Sequence, residues 1–233
     1  MNRTTRRAFD QAASALIEGF TRAGPFPDQE ATPSLLAEEV QKCFETCQQV
    51  DATEDALPPD EIDELGTHAL ECLSDLGLWA WQLKCDDIRA AIENIALELA
   101  TWIVAHGGRV TVLEPVVNAI TRRANATQDP GTLSSIFGEI QDIIANAGAG
   151  SGETGDPAGQ QPWLSLHFNN AIIATRTQRP ALMNMAYDVL ENRLPGHCAA
   201  FYAEGLREAA KPAYGEPVRE ILRERLVKWT PRA

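Results

Sequence analysis

The sequence predicts an all-α protein of about ten antiparallel helices, either a solenoid of degenerate helical repeats or an irregular helical bundle. Three observations carry that expectation. Apolar residues recur at helical spacing almost throughout the 233 residues. Prolines and glycines fall between successive stripes, where they start and stop helices. No stretch alternates convincingly as a strand would.

Phe9, Ala13, Leu16, Ile17 and Phe20 form the stripe of the first helix, which Gly24-Pro25-Phe26-Pro27 ends. Thr32-Pro33 joins an N-cap to a proline at the first helical position, ahead of Leu36, Val40, Cys43, Cys47 and Val50. Pro58-Pro59 opens helix three, whose early Asp60, Glu61 and Asp63 suit the positive end of a helix dipole. Trp79 to Leu83 reads as a bridge to helix four, which runs from Asp86 to about His106 on Ile88, Ile92, Ile95, Leu99 and Ile103. Gly107-Gly108 stops it. Helix five follows, with Pro115 tolerable in its first turn. Asp129-Pro130 caps helix six, and Pro162, Pro180, Pro195 and Pro217 mark later starts. The tetratricopeptide signature is absent from every helix pair.

Gly148 to Gln161 (GAGSGETGDPAGQQ) has the composition of a flexible linker or loop, with no large apolar anchor. It divides an acidic N-terminal helical part, 1–147, from a C-terminal helical part, 162–233. Two organisations fit: two subdomains, or one continuous domain carrying a long loop.

Charge narrows the partners. The chain holds 33 acidic against 20 basic residues, for a formal net charge of −13. Asp51 to Asp75 contains nine acids and no base. Such a surface repels a phosphate backbone, so nucleic acid is excluded as an expected partner. No apolar run approaches the roughly 20 residues that span a bilayer. The basic start (Arg3, Arg6, Arg7) is followed by a stretch broken by Asp10, Gln11 and Glu18, which reads as a helix and not as a secretion signal. A cytoplasmic protein with reduced thiols is the expectation.

The recognised chemical motifs fail on context. Gly150 to Gly155 fits G-x-G-x-x-G but follows a helix, whereas a dinucleotide site needs a strand before it. Cys43 and Cys47 fall in the apolar stripe of helix two and read as core. His68 with Glu71 lacks the paired Glu-x-x-His of a carboxylate-bridged metal bundle. Neither a catalytic constellation, a metal site nor a cofactor is expected.

The segment Trp163 to Arg176 has apolar residues on most of its circumference, the mark of a central helix. Ser165, Asn169 and Arg176 share a narrow polar wedge, and His167 and Asn170 flank Trp163. Buried polar groups need partners, so these six residues form either a network tying helices together or the lining of a ligand pocket. The expected function is non-catalytic protein–protein interaction or scaffolding, with a protein partner or a second copy of the chain. The alternative is a helical bundle that binds a small molecule, or an enzyme, with its pocket around His167.

Overall fold

The structure, a computed structural model, describes residues 1–24, 31–53, 57–147 and 157–230, with side chains from residue 160 in the last stretch. The described residues form an all-α helical bundle of ten α-helices without a strand. These are α1 (Arg3–Ala23), α2 (Pro33–Ala52), α3 (Pro59–Gln82), α4 (Asp86–Ala105), α5 (Glu114–Asn125), α6 (Pro130–Ala145), α7 (Pro157–Thr177), α8 (Pro180–Arg193), α9 (Cys198–Glu208) and α10 (Glu216–Trp229). Among the described residues, no helix is long and apolar enough to cross a membrane.

The chain packs as two compact units. The first comprises Met1–Arg122 and Asp142–Trp163, the second Arg123–Gln141 and Leu164–Ala233. Residues 148–156 of the expected linker lie outside the described residues, and Pro157 to Gln161 belong to α7. The border between the units passes through α5, α6 and α7.

In the first unit α1 packs on α2 and on α4, and α3 packs on both of the same helices. That closes a ring of four. A solenoid repeat touches only its neighbours in sequence, so the α1–α4 contact makes this part a bundle. Phe9 and Phe44, both 0% exposed, meet edge to face in its core with ring centroids 5.3 Å apart. Thr32 caps α2 as its sequence implies, its side chain accepting from the Leu35 amide. Trp79 to Gln82 is the last turn of α3 and not a bridge.

Gly66, in the middle of α3, has a packing reason. A Cβ built there would lie 2.5 Å from Ile103 Cδ1 and 2.7 Å from its Cγ1. Ile103 is itself fully buried and has nowhere to turn. Gly66→Ala gains up to about 1 kcal/mol in helix propensity but overpacks the α3–α4 contact, at a cost of roughly 1–3 kcal/mol. We expect a lower melting temperature. A rise would show that the two helices separate without cost.

In the second unit Tyr187 and Tyr202, both 0% exposed, meet edge to face at 5.2 Å between α8 and α9. The bases of α10 are neutralised inside this unit. Arg225 donates to Asp188 (2.7 Å), Glu191 (3.0 Å) and Asn184 (2.9 Å), all on α8. Lys228 also pairs with Glu191, while Arg219 and Arg223 pair with Glu216. Pro195 opens a single 3-10 turn ahead of α9, and Pro162 lies inside α7, which starts one and a half turns earlier, at Pro157.

Candidate functional site

The six polar and aromatic residues of α7 are shared between the units. Trp163 is buried in the first, and the other five belong to the second. His167 and Asn170 are 0% exposed, whereas Ser165, Asn169 and Arg176 are half-buried. Asn170 Oδ1 accepts from Gln141 Nε2 at 2.7 Å, a bond from α7 to α6. Arg176 donates to the carbonyls of Ala124 (3.0 Å), which also accepts from the Thr127 amide, and of Thr127 (2.6 Å), just past the end of α5. Burial, aided by the Arg193 charge, pushes the His167 imidazole down to about 4, so the ring is neutral at pH 7. Asn170 and Arg176 thus join α7 to α6 and to the end of α5.

A different group of residues forms a cleft in the first unit. It has a volume of about 400 Å³ and is walled by α3, α4 and the start of α5. Its floor is Glu93, 2% exposed. Arg89 and Glu93 sit one turn apart on α4, and Asn118 and Arg122 one turn apart on α5, so the two pairs face each other. Glu93 Oε1 accepts from Arg89 Nε (2.9 Å) and from Asn118 Nδ2 (3.2 Å), while Oε2 accepts from Arg122. A buried carboxylate is tolerated when it is paired and bonded in this way. Both oxygens are engaged, so Glu93 ties α4 to α5 across the base of the cleft.

The rim is different. Leu78 is 52% exposed and Trp81 58%, adjacent on the last turns of α3. Asp75 and Glu114 are exposed beside them, and neither makes an ion pair among the described residues. The lining contains neither histidine nor cysteine, and Ser74 is its one hydroxyl group.

Four of the five cysteines are buried, and Cys85 is half-buried. Cys43, Cys47 and Cys72 are buried, and burial pushes the Cys47 thiol up to about 12 and that of Cys72 to about 11. The thiolate, which is the reactive and metal-binding form, is therefore scarce at neutral pH. Among the described residues no group of three or more His, Cys, Asp and Glu is disposed to hold a metal ion.

Fold and site together define an all-α helical bundle with a half-open cleft edged by carboxylates. No family model matches the chain, and neither the curated proteins nor the solved structures give a match.

Proposed function

We propose that this is a non-catalytic helical interaction protein, which acts by binding another protein, and that it works in the cytoplasm. The observation that carries the reading is the exposed pair Leu78 and Trp81 on the rim of the α3 cleft. Tryptophan is enriched among the residues that dominate binding energy at protein interfaces. Exposed apolar patches rimmed by polar groups mark protein-interaction sites or ligand-binding grooves. The cytoplasmic assignment is supported by five cysteines that are all free.

The contrasting reading, a small-molecule site around His167, is tested by thermal shift. A metabolite panel is screened against the protein and its His167→Ala variant, because a ligand stabilises only the state that binds it. We expect no metabolite to raise the melting temperature through His167. A shift in the natural protein that vanishes in the variant would overturn the interaction reading and establish a ligand pocket.

A further inference from the structure

We infer that the cleft between α3, α4 and α5 is the docking site, and that its occupant is a basic segment of a partner protein carrying an apolar anchor. This rests on the interaction reading above and names the surface and the chemistry of the partner.

The argument follows the groups that the fold leaves without partners. Glu93 is paired with both Arg89 and Arg122, a trio of net charge +1, so the attraction for a cation comes from Asp75 and Glu114, which leave the cleft at −1. Asp75 and Glu114 remain, exposed and free of ion pairs among the described residues. The same lining holds the exposed Leu78 and Trp81. The complement of two open carboxylates beside an indole and a leucine is a cation next to an apolar side chain. Arginine meets the first requirement best, since its planar guanidinium bonds carboxylates and stacks on an indole face. The net charge of −13 steers such a segment toward the protein before contact.

Other occupants fit less well. Nucleic acid is repelled by the same carboxylates. A second copy of the chain would have to offer α1 or α10, each with four bases; α1 sets no exposed large apolar residue beside its exposed Arg3 and Arg7, which leaves α10. There Arg225 and Lys228 are already committed to Asp188 and Glu191, and Arg219 and Arg223 to Glu216. A small polyamine would satisfy the carboxylates but leave Leu78 and Trp81 wet.

The test uses the full chain and a random peptide library displayed on phage. Selected peptides are synthesised and their affinity measured by calorimetry at low and high salt. The expected peptides place Arg or Lys beside an aromatic or aliphatic residue. Trp81→Ser should weaken them about 30-fold, the loss typical of an interfacial tryptophan. Leu78→Ser is a second variant on the same rim, and both side chains are exposed enough for the fold to survive. The double variant Asp75→Asn, Glu114→Gln should weaken them about 10-fold and remove most of the salt dependence. Met185→Ser, at an exposed residue of α8 in the second unit, should change nothing.

Acidic or uncharged peptides, or affinities indifferent to the Trp81, Leu78 and carboxylate variants, overturn the inference while leaving an interaction protein with another surface. If no peptide is selected and spermine binds through Asp75 and Glu114, the occupant is a small cation and the inference is wrong. If no peptide and no polyamine bind, the cleft is not a docking site. The interaction reading itself falls only to the metabolite screen.

Discussion

Glu191→Ala is expected to lower stability by about 2 kcal/mol, within the range for stranding a buried hydroxyl. Glu191 is 8% exposed on α8 and gathers three donors: the Tyr202 hydroxyl at 3.1 Å, Arg225 Nη1 at 3.0 Å, and Lys228. Removing the carboxylate strands the Tyr202 hydroxyl, which is fully buried, and takes one of three acceptors from Arg225, which keeps Asp188 and Asn184. Lys228 is 60% exposed and turns to water, which limits the loss. The main penalty therefore falls on α9, through Tyr202, and a smaller one on α10, whose Arg225 keeps two acceptors on α8. The urea midpoint should drop clearly, and Glu191→Gln, which keeps an acceptor for Tyr202, should drop less. Equal midpoints for Glu191→Ala and the natural protein would show that the cluster is decorative.

Acidification should cost the fold a comparable amount through His167. Its imidazole titrates near 6.5 when unfolded and about 4 when folded, because burial and Arg193 disfavour the cation. Below 6.5 the unfolded state therefore binds the extra proton, and stability falls with falling pH until about 4. Above 6.5 neither state is charged there, and the contribution is complete. The shift corresponds to roughly 3 kcal/mol across that window. Carboxylates such as Glu191, held below their usual range by Lys228 and Arg225 against the effect of burial, also lose stability in acid. The His167→Leu variant separates the contributions, since only the imidazole share of the slope disappears. Parallel urea midpoints for both proteins between pH 7 and pH 4.5 would refute the assignment. His167→Ala should in addition melt lower than the natural protein at neutral pH, because it empties a fully buried position.

What the sequence made legible follows from the range of each signal. Helix starts depend on three or four consecutive residues, so Thr32-Pro33 and Asp129-Pro130 are readable: Asp129 Oδ2 accepts from the Thr132 amide at 2.7 Å, as a cap should. Pro162 misled because a proline suits both a first turn and, at a cost, a helix interior, and Pro157 already occupied the start. The need of Asn170 for a partner was visible, but its identity, Gln141, lies 29 residues away. The cleft was missed for the same reason. Asn118 and Arg122 reach Glu93 across 25 and 29 residues, and no periodicity reports that. One signal was present: Leu78 and Trp81 fall about 160° and 100° from Ile62 around α3, away from its buried stripe. Reading Trp79 to Leu83 as a bridge hid it, since a residue outside a helix has no face.

The border that runs through α5, α6 and α7 has a consequence for how the molecule can be taken apart. An engineered cleavage site in residues 148–156 would sever the chain without separating it. The second unit draws Arg123–Gln141 from the N-terminal fragment and Leu164–Ala233 from the C-terminal one. Gln141 bonded to Asn170, and Arg176 bonded to Ala124 and Thr127, would each clasp the two fragments together. The nicked protein should run as a single species until denatured. In hereditary terms neither unit is a cassette: no contiguous stretch of the gene encodes one of them alone, so exchange or duplication of segments would have had to carry both.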